Sequence, residues 1–154
     1  MSVVVSLKAV VEAMDFQSDD LTNYLNRKTG EIVPMTEEDR HLADDDELDV
    51  AGLPGWQRES VLKAREVLGS GDFVPLPDKF EIHEWAIMER FAISQTARST
   101  RTELINAIHG RGAYRMFKDT VRRLGIEEAW LAFRETAFED IAKDWLEEND
   151  ISYI

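Results

Sequence analysis

The sequence predicts an α+β protein in which a small antiparallel sheet or hairpin from the N-terminal half packs on a mainly helical C-terminal half. Short apolar runs bounded by Gly and Pro lie in the first half of the chain, and helical periodicity dominates the second half. With 154 residues and no cysteines, the chain is expected to form a single domain, residues 1–154, that needs no disulfide for stability.

The N-terminal elements are a short helix and a hairpin. Ser6 is placed to cap a helix whose apolar positions follow helical spacing: Leu7, Val10, Val11 and Met14. Strands are expected at Tyr24–Arg27 and Glu31–Met35, on either side of a Gly-containing loop. Because Pro34 lacks an N–H donor, it places the second strand at a sheet edge. Thr36 is expected to cap a further short helix.

The middle of the chain combines an acidic segment with two helices. Asp44–Gly55 is expected to be an acidic, mobile loop, because it is rich in carboxylates and contains Gly and Pro. A helix is predicted over Trp56–Leu68, followed by an extended "DFVPLP" segment. Asp78 is expected to cap the next helix, whose apolar side comprises Ile82, Trp85, Ala86 and Met88 to Phe91.

Three more helices are predicted in the C-terminal half. The first begins at a capping box that pairs Ser99 or Thr100 with Glu103. The second spans Ala113–Leu124 and the third, the longest, spans Glu127–Glu148. The tail "ISYI" is expected to be extended and to pair at a sheet edge. The tryptophans are expected to pack in the core: Trp56, Trp85, Trp130 and Trp145.

The charge of the chain is unevenly distributed. The formal net charge is −13, yet residues 98–123 carry seven Lys and Arg against two Asp and Glu. An acidic protein repels other anions at long range. Binding of an anion must therefore be local, and residues 98–123 are the segment suited to it.

This basic segment predicts a site for an anion or an anionic partner. Its outward cations are spaced i, i+3 and i+7: Arg115, Lys118 and Arg122. The opposite, core-facing side is predicted to comprise Ala113, Met116, Phe117, Val121 and Leu124. Arg111 stands at the helix start between Gly110 and Gly112, which let a ligand approach free N–H groups. His109 is expected either to cap the preceding helix or to join the site.

Two other interpretations of this segment remain open. In the first, the glycines serve only a tight turn, and the arginines face water or pair with the acidic C-terminal helix. In the second, the order helix, Gly-containing turn, helix is a helix-turn-helix DNA-binding motif with Ala113–Leu124 as its recognition helix. DNA-binding domains are usually basic overall, which this chain is not.

The common catalytic and metal motifs are missing, so neither a metal nor a cofactor is expected. "HEWAI" has Ile87 where the zinc-protease motif needs its second His, and Asp49 occupies the position of the glycine that an EF-hand loop requires. No P-loop, nucleophile elbow or dinucleotide fingerprint occurs. Glu84 with Glu81 or Glu89 is an acid–base candidate only if the pair is buried.

No apolar run approaches the length that spans a bilayer. The first residues lack the basic leader of a secretory signal and are expected to form a strand or helix. A cytoplasmic protein that does not bind a membrane is therefore expected.

Several segments together resemble a bacterial family of unassigned activity, the uncharacterised protein family (UPF) 0158. They are "YLNRKTGEIV" (24–33), "FVPLP" (73–77), "WAIMERF" (85–91), "GRGAYRMFKD" (110–119), "AW" (129–130) and "IAKDWLEENDISY" (141–153). The segment 110–119 is the most specific of them. The resemblance implies a small intracellular bacterial protein with the family's fold, and it implies no substrate, cofactor or catalytic residue.

The sequence thus predicts a non-enzymatic binding or regulatory module that engages an anionic ligand, RNA or an acidic protein through Gly110–Lys118. An enzyme acting on a phosphorylated small molecule is the alternative, and its site would bring Arg111, His109 and a buried carboxylate into one pocket. A third possibility is an acidic surface at Glu37–Asp49 that mimics nucleic acid or docks on a basic partner.

Overall fold

The computed structural model describes residues 3–154, and these residues form the predicted α+β fold. The elements in chain order are β1 (Val4–Val5), α1 (Leu7–Asp15), β2 (Leu21–Asn26), β3 (Ile32–Thr36), α2 (Glu37–Asp44), α3 (Gly55–Gly69), β4 (Phe73–Pro75), α4 (Lys79–Ile82), α5 (Glu84–Ser94), α6 (Arg98–Ala107), α7 (Ala113–Arg123), α8 (Glu127–Glu148) and β5 (Ser152–Tyr153). The chain divides into two compact units, one up to Lys79 together with Ala142–Ile154, the other Phe80–Ile141. That they fold as one domain stays a prediction.

The first unit is built on the predicted hairpin. β2 pairs with β3 in antiparallel register, with Asn23 opposite Pro34. The sheet order is β3-β2-β4, so β3 is an edge strand, as Pro34 predicts. Two α3 residues, Ala64 and Val67, belong to a buried cluster with side chains of the sheet, so α3 packs against it. The cluster comprises Tyr24, Val33, Met35, Ala64, Val67 and Phe73.

Helix caps and the chain ends of the first unit also follow the sequence. Ser6 Oγ accepts a hydrogen bond from the N–H of Ala9, and Thr36 Oγ1 accepts one from the N–H of Asp39. The tail forms β5, which pairs in parallel with β1. This two-stranded β1–β5 sheet joins the two ends of the part of the chain that the structure describes.

The acidic segment between α2 and α3 is held by hydrogen bonds from arginine side chains of α3 to its backbone carbonyls. Arg58 of α3 donates to three of its carbonyl oxygens, and Arg65 donates to two. Val50–Gly52 forms a 3₁₀ turn within it. The mobility expected for Asp44–Gly55 is not tested by these contacts and stays a prediction.

Two helix boundaries differ from the predicted ones. The helix expected to follow Asp78 is interrupted at His83, whose φ of 49° is left-handed and separates α4 from α5. α6 begins at Arg98, so Ser99 and Thr100 lie inside the helix and no capping box forms. The N-cap is Ala97, which has no side-chain oxygen to accept a hydrogen bond, and the buried residues of α6, Leu104 and Ala107, lie in its second half.

The tryptophans are not all in the core. Trp130 and Trp145 are buried, as predicted. Trp56 is 71% exposed and Trp85 is only partly buried, so the prediction is wrong for both. Trp56 stands in the first turn of α3, ahead of the stretch of that helix whose side chains are buried.

Aromatic side chains hold the helices of the second unit together. The ring of Phe117 on α7 lies edge-on to Phe91 of α5 and to Trp130 of α8, with centroid distances of 6.2 and 4.8 Å. Phe91 also contacts Trp130 and Phe133 at 5.4 Å. Such edge-to-face pairs stabilise a core beyond the area that they bury.

The buried side of α7 is shifted from the predicted one. Phe117, Thr120 and Val121 are buried, but Met116 is 51% exposed and is not a core residue. At about 100° per residue, Met116 lies roughly 90° from the centre of the buried strip, at its border. Thr120 takes the inward position and donates its hydroxyl to the Met116 carbonyl, at 2.7 Å.

Adjacent substitutions on α7 test this rotation of the helix. Phe117→Ala should lower the free energy of unfolding by about 3–5 kcal/mol, because it removes a fully buried ring. Met116→Ala should change it by only about 0.5 kcal/mol, because that side chain is half exposed. Urea denaturation followed by circular dichroism measures both. Equal losses for the two variants would contradict the rotation described.

Candidate functional site

The predicted Gly-Arg-Gly turn leads directly into α7. Gly112 is the N-cap, and its φ of 66° is left-handed, a conformation that favours glycine. No side chain caps this end of α7. Gly110 has no positive φ, and a Cβ there would meet open space. Of the two glycines, Gly112 is therefore the one that the backbone requires.

The predicted cations divide into two groups. Arg111, Arg115 and Lys118 are exposed, and none of them makes a hydrogen bond or ion pair within residues 3–154. Arg122 is also exposed, but its Nε lies 3.0 Å from Oε2 of Glu127 at the start of α8. Arg122 therefore behaves as the alternative interpretation predicts. The three unpaired cations are called the basic face below.

The neighbouring Arg123 is likewise engaged. Its Nη2 lies 3.1 Å from Oε1 of Glu103 on α6. Ion pairs as exposed as this one stabilise a fold by only about 0–1 kcal/mol. They nevertheless show which cations of the segment already have an internal partner.

His109 caps the preceding helix. Its Nδ1 lies 2.6 Å from the carbonyl oxygen of Ile105, and since a carbonyl only accepts, Nδ1 carries the proton. The ring also packs edge-on against Trp85 at 5.9 Å. Trp85 in turn donates its Nε1–H to the carbonyl of Ile108, at 2.9 Å. These contacts fix the chain just before the glycine turn.

A polar cluster that the sequence did not predict fixes the other side of the turn. Tyr114, in the first turn of α7, donates its hydroxyl to Glu84 Oε2 at 2.9 Å. The other oxygen of Glu84 accepts from Nε of Arg134 on α8. The Arg134 guanidinium stands 4.2 Å above the ring of Phe138. Partial burial, and then the hydrogen bond to Glu84, raise the pKa of the Tyr114 phenol, and Arg134 opposes them.

Glu84 was the carboxylate shared by the acid–base pairs suggested by the sequence. Its side chain is only 18% exposed, but Glu81 is exposed and Glu89 is only partly buried, so neither pair is buried as the hypothesis required. The two oxygens of Glu84, moreover, accept hydrogen bonds from Tyr114 and Arg134, so both are engaged in a structural network. No local sequence signal could have revealed this network, because 30 and 50 residues separate Glu84 from its partners.

A small notch lies beside the basic face. It has a volume of about 200 Å³ and is lined by Lys118, Val121, Arg122, Glu127, Trp130 and Leu131. Leu131 is 53% exposed, so an apolar side chain stands next to an unpaired cation. Neither Arg111 nor His109 lines this notch, the cavity lined by Asp39 and Lys63, or the cavity lined by Arg90 and Asp140.

Comparison with protein-family models, with curated proteins and with solved structures found no match for this chain. The resemblance to uncharacterised protein family 0158 therefore stays a prediction. Within residues 3–154, no helix is both long and apolar enough to cross a membrane. The same residues hold no group of three or more His, Asp and Glu side chains arranged for a metal ion.

The Tyr114 network predicts a specific pH dependence of stability. A phenol whose pKa is raised by folding stabilises the protein below the unfolded pKa of about 10, and this contribution is lost as the pH rises through the folded value. The difference in unfolding free energy between the native protein and Tyr114→Phe should therefore be constant near pH 8 and should shrink above about pH 10. Urea denaturation across this range measures it. A difference that does not vary with pH would contradict the network.

Proposed function

We propose that this protein is a non-enzymatic binding module whose basic face, Arg111, Arg115 and Lys118, engages an acidic segment of a partner protein. The observation that carries the proposal is that these cations are exposed and unpaired in a chain with 31 carboxylates and a net charge of −13. In such a chain internal carboxylate partners are abundant. Cations left without one are available to a partner.

The distribution of charge between the units supports local binding. Residues 80–141 carry nine Lys and Arg against ten Asp and Glu, and are almost neutral. The remaining residues carry nine against 21. The basic face thus belongs to the unit in which the field of the carboxylates is weakest. Complementary charge at such a face speeds encounter and selects the partner.

An extended partner fits the basic face better than a small anion does. Pockets for small molecules are concave and enclose most of the ligand. Arg111 and Arg115 line none of the cavities described, and Glu84, the partly buried carboxylate nearest the turn, is held by Tyr114 and Arg134. The convergence of Arg111, His109 and a carboxylate that an enzyme would need therefore lacks support.

The notch favours a protein partner over a nucleic acid. Protein interfaces combine large apolar anchors with arginine, and the notch offers an apolar site at Leu131 beside Lys118. Proteins that bind single-stranded nucleic acid usually stack bases on aromatic side chains. The exposed aromatic of α7, Tyr114, is held at its hydroxyl by Glu84. A helix-turn-helix would also use Arg122, which pairs with Glu127.

Replacement of the basic face by alanine should abolish this binding. The probe is a fluorescein-labelled peptide of alternating Asp, Glu and Leu, and its affinity for the full chain is measured by fluorescence anisotropy. Arg111→Ala with Arg115→Ala and Lys118→Ala should weaken binding by about tenfold or more, because three charge contacts are lost. Leu131→Ser should weaken it too, by removing the apolar wall of the notch.

The matched control removes three exposed cations from the first unit, Lys8, Lys28 and Arg40, and should leave the affinity unchanged. A uridine oligonucleotide and a DNA duplex are titrated in parallel. Tighter binding of either nucleic acid than of the peptide, lost with the basic face, would overturn the proposal in favour of a nucleic-acid-binding module. Thermal stabilisation by inorganic phosphate or nucleotides that requires Arg111 would overturn it in favour of a small-anion site.

A further inference from the structure

A groove on the second unit runs along one side of α8, next to α5. Its volume is about 450 Å³, and Arg90 of α5 and Asp140 of α8 lie among its lining residues. The rest of the lining comes from α8 and is mostly small and apolar: Ala129, Ala132, Phe133, Thr136 and Ala137. These positions follow the i, i+3, i+4, i+7, i+8 spacing of one helix side. The stripe extends for about 12 Å, or just over two helical turns.

Unpaired carboxylates border this groove. Glu128, Glu135 and Glu139 lie about 90–130° around α8 from the centre of the stripe, on one side of it. None of the three, nor Asp140, makes a hydrogen bond or ion pair within residues 3–154. Arg90 is the single cation of the lining. The groove is therefore apolar along its length and negatively charged along its border.

We propose that the groove binds an amphipathic helix of a partner protein, with apolar residues toward α8 and Lys or Arg residues toward the acidic border. Helix-in-groove recognition places i, i+3, i+4 and i+7 side chains against such a stripe. The small side chains let a helix backbone approach α8 closely, and the four carboxylates provide charge complementarity for a basic helix. This surface is distinct from the basic face on α7, and the two proposals can fail separately.

A second copy of this chain fits the groove less well. If α8 packed antiparallel on α8 of another copy, each acidic border would face its own counterpart. Juxtaposed like charges at an interface cost several kcal/mol, and a net charge of −13 adds long-range repulsion between copies. The charge of the border thus selects a basic occupant.

The test uses a designed peptide of about 14 residues, with Leu at one helix side and Lys elsewhere, and a matched peptide with Glu in place of Lys. Affinity for the full chain is measured by fluorescence anisotropy at about 150 mM salt, where distant charges are screened. Thr136→Trp fills the groove, and Thr102→Trp on α6 is its exposed, matched control. The border variant, Glu135→Gln with Glu139→Gln, removes two negative charges beside the groove. Its control, Glu12→Gln with Glu148→Gln, removes two negative charges away from the groove.

The Lys peptide should bind, and the Glu peptide should not. Thr136→Trp should weaken binding of the Lys peptide at least tenfold and the border variant several-fold, whereas both controls stay within twofold of the native protein. Ala132→Lys gives a second block of the groove should Thr136→Trp not fold. The proposal is overturned if the Lys peptide does not bind, or if it binds Thr136→Trp and Thr102→Trp with equal affinity. It is also overturned if sedimentation shows a dimer that Thr136→Trp dissociates, since a second copy then occupies the groove.

Discussion

The edge-to-face packing of Phe117 against Phe91 and Trp130 sets the rotation of α7 about its own axis. Phe117 is fully buried, so α7 cannot turn without removing this ring from the core. With that side fixed inward, the regular advance of about 100° per residue carries Arg115 to the opposite side and Lys118 to the border of the buried strip, where both are exposed. The exposure of the basic face is therefore a consequence of hydrophobic packing, and charge decides only which of the outward cations find internal partners.

The chain entering α7 is fixed by two further groups of contacts. His109 is held to Ile105 and packs on Trp85, and Tyr114 is held to Glu84, which pairs with Arg134. Partly buried polar networks of this kind restrict the conformations open to a segment, because breaking one contact leaves another group unsatisfied. Arg111 thus extends from a turn whose two ends are both fixed, which lowers the entropy that a partner must remove on binding.

The sequence predicts the parts of this fold that depend on neighbouring residues. The bounds of α8, the hairpin with Pro34 at its edge, and the caps at Ser6 and Thr36 all follow from local pattern. The network around Glu84 depends on contacts between distant segments, so it was not predictable, and no local pattern indicated the left-handed backbone at His83. The prediction that Met116 is a core residue was wrong for a different reason, since periodicity alone does not distinguish a core position from the border of the buried strip. For the candidate site, periodicity identified Arg115, Lys118 and Arg122 as outward cations, but only the ion pair with Glu127 seen in the structure separates Arg122 from the unpaired ones.

The central claim is that the basic face, Arg111, Arg115 and Lys118, is the surface that an acidic partner contacts. The most direct test is nuclear magnetic resonance of the ¹⁵N-labelled full chain titrated with the acidic, Leu-containing peptide. The account predicts saturable shifts of the amide signals of residues 111–118 and of Leu131, with the signals of Glu37–Asp49 unchanged. Shifts centred on the α5–α8 groove or on the acidic segment, or no saturable shift at all, would contradict it.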